Sequence, residues 1–97
     1  MSKDVYDEIS NEEYIHTIRF KNRNDTPLII LVEPWPEMYE LGLNDELVVM
    51  AKMPKGKFPE IGYGKYDDID MIEYLPLSKC QLMIYKNGKL IEDDLVL

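Results

Sequence analysis

The sequence predicts an all-β fold, a single small antiparallel β-sandwich of seven or eight short strands. Three observations lead there. From Tyr14 onward the apolar residues recur with a period of two rather than 3.6. Turn residues interrupt them at intervals of roughly ten positions. Asn87-Gly88, set between two apolar runs, supplies the two left-handed residues of a type I′ hairpin turn. Short strands at this spacing are the pattern of sandwiches and small barrels.

Residues 1–14 read apart from the sandwich domain, which spans 15–97. Ser2 suits a helix cap, and Asp4, Asp7 and Glu8 suit the first turns of a short helix. The apolar stripe of Val5 and Ile9 is thin, so a frayed arm competes with the helix. "YIHTIRF" (14–20) alternates, with His16, Ile18 and Phe20 on one side and Ile15 and Thr17 on the other. "KNRND" is a polar turn. "TPLIILVE" (26–33) is a continuous aliphatic run, as expected of a central strand covered on both faces, with Pro27 at its start where a missing N–H matters least.

Pro34 and Pro36 then break any regular ladder, because each removes a donor and fixes φ. The chain must bend, and Trp35 between them is read as a plug at the sandwich edge, with an exposed binding anchor as the alternative. "EMYEL" precedes a "GLND" turn, and "ELVVMAK" (46–52) is a strand with Leu47, Val49 and Ala51 on one face. "MPKGKFPEIGYGK" (53–65) carries two prolines and three glycines and reads as loop. With Lys52 just before it, it also forms the one basic patch, Lys52, Lys55, Lys57 and Lys65. "YDDIDMIEYL" resumes the alternation until Pro76. The expected last hairpin is 81–86 with 89–92, and the tail adds a strand through Leu95 and Leu97.

The stretch Asn24, Pro27-Leu28, Glu33-Pro34-Trp35, Tyr39, Leu41 and "LNDELVV" resembles a pattern of small bacterial β-sandwich proteins, with a weaker echo in "YKNGKLIE". The resemblance covers about residues 18–51. It departs from the pattern at Pro36, where glycine is usual, and at Asn44-Asp45, where Pro-Gly is usual. It implies the sandwich fold. Some small acidic chains of this kind are immunity proteins, which neutralise a toxin delivered by a sister cell.

Catalytic vocabulary is sparse. One Cys and one His exclude Cys/His zinc sites and blue-copper sites built within this chain, and Cys80 reads as a small buried apolar residue. Ser2, Ser10 and Ser78 sit in no nucleophile-elbow context, and no phosphate-binding glycine motif occurs. The expectation is therefore no enzyme and no cofactor. "DDID" (67–70) has oxygen ligands for a hard cation but lacks the EF-hand spacing. It reads as a solvated strand face, with Asp68 and Asp70 together and Asp67 opposite.

Nineteen acids against eleven bases give a net charge of −8. That repels nucleic-acid phosphates and anionic membrane surfaces, and it favours a basic protein partner. No apolar run approaches the roughly 18 residues of a membrane span. "MSKDVYDEISNEEY" has no apolar core of a signal peptide, so a cytoplasmic chain is expected. The candidate partner-binding set is Tyr63, Tyr66, Asp67, Asp68, Asp70, Glu73 and Tyr74, since aromatics anchor interfaces while acids steer a cationic partner. The expected function is an acidic immunity protein that binds a basic, nuclease-type toxin. The alternative is a structural or accessory β module without a toxin partner.

Overall fold

A computed structural model describes residues 13–33, 37–76 and 80–96, with side chains for 15–33, 37–76 and 80–92. These residues hold eight strands and no helix: β1 (Glu13–Lys21), β2 (Leu28–Val32), β3 (Glu37–Leu41), β4 (Glu46–Pro54), β5 (Glu60–Tyr66), β6 (Ile69–Leu75), β7 (Gln81–Lys86) and β8 (Lys89–Val96). They form two four-stranded sheets, ordered β1-β4-β7-β8 and β3-β2-β6-β5. Among the described residues, no helix is long and apolar enough to cross a membrane.

One buried cluster draws on both sheets. Phe20, Leu47, Val49, Ala51, Met53, Leu82 and Ile84 come from the first, and Ile30, Val32, Leu41 and Tyr74 from the second. This sharing is compatible with a sandwich-like arrangement. The period-two reading holds most clearly in β4, where Leu47, Val49, Ala51 and Met53 are all fully buried while their alternates are not.

Four expectations are corrected. The second sheet is not wholly antiparallel, because β2 and β6 run parallel with Leu28 opposite Asp70 and Val32 opposite Tyr74. The segment 53–65 is not one loop: β4 runs on to Pro54, and 60–66 is a strand. Gly62 and Gly64 do not break it, since neither adopts a left-handed φ and an edge strand tolerates the missing side chains. The tail is not a separate strand either, for β8 continues from Lys89 to Val96 through register shifts against Leu82, Ile84 and Tyr85. Glu13 and Tyr14, the end of the predicted arm or helix, open β1 instead. The expectations for residues 1–12 and for Trp35 lie outside the described residues.

The corner between β1 and β2 carries the sheet crossing. Asn22 is 3% exposed and donates through Nδ2 to the carbonyls of Thr26 (2.8 Å) and Leu41 (2.9 Å). Its Oδ1 accepts from the Asn24 amide at 3.0 Å. Its main chain bonds Asp45 and Asn44 as well. One residue thus ties the end of β1 to the end of β3 through its side chain and to the turn before β4 through its main chain. Asn87 makes a similar tie. It sits at φ 52 beside Gly88 at φ 81, as the hairpin signal requires. Its Oδ1 also accepts from the Glu46 amide (2.8 Å), and its Nδ2 donates to Asp45 (3.0 Å).

Candidate functional site

The β5–β6 hairpin positions most of the acidic and aromatic candidates. Tyr66 and Ile69 form its last pair, and Asp67 (φ 52) and Asp68 (φ 64) make the two-residue turn between them. Both turn residues must be left-handed for a two-residue hairpin to match the strand twist, and Asp is among the few non-glycine residues that tolerate this. The two aspartates therefore project from a tip. They do not lie on opposite faces of a strand, so the expected pairing of Asp68 with Asp70 on one face is corrected. Among the described residues neither turn aspartate has an ion-pair partner.

Register divides the remaining candidates. Tyr66 and Glu73 are on the face of the sheet turned away from the shared cluster, whereas Tyr63 and Asp70 share the side of Ile72, which packs against it. Tyr63 lies on the edge strand and is 82% exposed, and Tyr66 is half exposed. Asp70 is paired with Lys65 across the hairpin, Nζ to Oδ1 3.1 Å. It also lines an open cavity of about 200 Å³ with Lys21, Asn22, Arg23 and Asn24. Asp70 thus sits among cations, and its attraction for a basic partner is locally offset.

Tyr74 is corrected outright. It is fully buried, and its ring meets that of Phe20 edge-on with centroids 6.5 Å apart. Its hydroxyl has no hydrogen-bond partner among the described residues, and burial, with a smaller contribution from nearby Cys80, pushes its pKa up. A group without solvent access cannot touch a partner, so Tyr74 belongs to the core. Cys80 is buried as expected, which raises its thiol pKa and argues against nucleophilic use.

The signal that sequence reading missed is on the outward face of the β3-β2-β6-β5 sheet. There Met38, Leu31, Glu73 and Gly62 form one row, and Glu40, Ile29, Met71 and Gly64 the next. Alternation along β6 was visible in the sequence, although β2 reads there as a continuous run and β5 as loop. The rows were not, because they depend on a parallel pairing between segments some forty residues apart. Among the described residues no group of three or more His, Cys, Asp or Glu could hold a metal ion. Comparisons with protein-family models, with curated proteins and with solved structures gave no match.

Proposed function

We propose that this chain is a non-catalytic protein-binding module: a small β-sandwich that captures a basic protein through its acidic, tyrosine-bearing hairpin. In its concrete form it is a bacterial immunity protein that neutralises a nuclease-type toxin in the cytoplasm. The observation that carries the reading is the hairpin tip, where Asp67 and Asp68, with no ion-pair partner among the described residues, adjoin the half-exposed Tyr66. The net charge of −8 supports it, because excess charge of one sign raises encounter rates with a partner of the other by about 10- to 10³-fold at low salt. The sequence resemblance over residues 18–51 points the same way.

Stopped-flow association with a purified cationic nuclease domain, measured against salt, tests the proposal. The rate should fall steeply with ionic strength, nuclease activity should be lost in the complex, and changing Asp67, Asp68 and Glu73 to their amides should slow association. Salt-independent binding, or full activity in the complex, would sink it.

One feature favours a second reading as a structural or accessory subunit that pairs by strand addition. β5 is an edge strand, and most of its residues are exposed. That reading expects concentration-dependent self-association with little response to salt, which sedimentation at two ionic strengths separates from the first.

A further inference from the structure

Twelve positions make up the outward face of the β3-β2-β6-β5 sheet: Met38 and Glu40 of β3, Ile29 and Leu31 of β2, Ile69, Met71, Glu73 and Leu75 of β6, and Glu60, Gly62, Gly64 and Tyr66 of β5. The middle of this face is apolar. Ile29 is only 6% exposed there, yet it stands outside the buried cluster shared by the two sheets. Every charged residue of the face is a glutamate, and the turn aspartates adjoin its end. The outward face of the other sheet is mixed, with Arg19, Lys21 and Lys52 beside Glu46 among its positions. The β3-β2-β6-β5 face thus carries three carboxylates and no cation among its twelve positions.

The glycines give that face its relief. Gly62 and Gly64 have no left-handed φ, and a Cβ added to either would meet only ordinary contacts, 3.5 Å from Glu73 and 3.7 Å from Met71. Neither backbone conformation nor internal packing demands glycine at these positions. Glycine inside a strand weakens it, and it often marks a site where another chain comes close. At Gly62 and Gly64, between Glu60 and Tyr66, β5 presents a shelf of bare backbone overhung only by the side chains of Glu73 and Met71. The strip of β2, β6 and β5 is about 10 Å across from strand spacing, which matches the diameter of one helix.

We propose that this face seats an amphipathic, basic helix of the protein partner, its apolar ridge on Leu31, Ile29 and Met71 and its lysines or arginines reaching Glu40, Glu60 and Glu73. The inference rests on the reading that the partner is basic, and adds the element and the surface that meet. A second copy of this chain is a poor occupant, since it would oppose carboxylate to carboxylate. The glycine shelf lets the helix axis approach β5 closely.

The test is an NMR titration of the full chain with a synthetic peptide that has leucines at helical i, i+3, i+4, i+7 spacing and lysines elsewhere, beside a scrambled peptide of the same composition. The expected result is shifts at the methyls of Ile29, Leu31 and Met71 and at the amides of Gly62 and Gly64, with the scrambled peptide about tenfold weaker. Gly64→Lys should weaken binding by about tenfold or more, whereas Ile15→Lys on the other sheet, with the same change in net charge, should alter it by less than about twofold. Gly64→Ala provides a smaller perturbation that the fold accommodates, and it should also weaken binding. Equal affinity for both peptides, equal effects of the two lysine variants, or shifts confined to Tyr63 and Asp70 would overturn the proposal while leaving the basic-partner reading in place. Self-association through this face would overturn it as well. Failure of both peptides to bind at low salt would overturn both readings.

Discussion

Removing the Asn22 side chain should cost more stability than any other single polar change in the described corner. Asn22→Ala deletes two donated bonds, to Thr26 and Leu41, and one accepted from Asn24. The Leu41 carbonyl lies in a buried bond, so its loss carries most of the desolvation penalty of an unpaired acceptor, about 1–3 kcal/mol, and the two half-buried bonds contribute about 1 kcal/mol each. The sum is about 3–5 kcal/mol, a large part of the roughly 5–15 kcal/mol that holds a small domain together. Urea unfolding should show a midpoint lower by about 2 M for a chain of this size. Asn22→Asp separates hydrogen bonding from packing. It keeps the shape, but at neutral pH its carboxylate can donate to neither carbonyl and instead sets negative charge against the Thr26 and Leu41 oxygens, so it should be worse than alanine. Its pKa would be raised in the folded state, so stability should return as pH falls through that value and be lost as pH rises through it. Losses below about 0.5 kcal/mol, near the scatter of ordinary surface substitutions, or an aspartate variant no worse than alanine, would refute the reasoning.

Three further outcomes are expected. Changing Asp67 to Asn and Asp68 to Gly together should stabilise the β5–β6 hairpin by about 1 kcal/mol in urea unfolding, because Asn-Gly fits two left-handed positions better, while slowing association with a cationic nuclease domain. Asp45 accepts hydrogen bonds from Asn87 and Gly42, which hold its carboxyl below the ordinary carboxylate range. Its contribution is therefore present above the unfolded value near about 4 and lost as pH falls through the lower folded value, and Asp45→Asn should flatten the acid limb of a thermal-midpoint profile. Burial, then Glu92 and Glu37, push Tyr39 up to about 12, and burial raises Tyr74 as well. Stability should accordingly decline as pH climbs past the unfolded tyrosine value of about 10, and Tyr74→Phe should lessen that decline while leaving neutral-pH stability equal or higher by about 1 kcal/mol.

The candidate site was half legible in the sequence. Tyr63, Tyr66 and the acids of 67–73 do cluster on one hairpin, because neighbours in a short β-hairpin are neighbours in sequence. Tyr74 was misplaced for a definite reason. Alternation along β6 shows that Tyr74 differs in side from Glu73, but both sides of that strand carry apolar residues, so the pattern cannot say which side meets the core. Asp67-Asp68 passed for strand because two aspartates lack the glycine that normally advertises a two-residue turn.

What the sequence determined by itself is whatever depends on a few consecutive residues. The period-two runs, the Asn87-Gly88 turn, the buried row Leu47-Val49-Ala51 and the anionic surplus all follow from local sterics and composition. What only the tertiary structure decided depends on pairings between distant segments. The parallel register of β2 on β6 gathers Leu31, Ile29, Met71 and the three glutamates into one face, and the closing of β1 against the ends of β3 and β4 turns Asn22 from an ordinary turn residue into the tie of a sheet corner. No window of the sequence contains those relationships, because burial and hydrogen-bond partnership are created when two sheets meet, and the choice among registers is settled by the packing of all the strands at once.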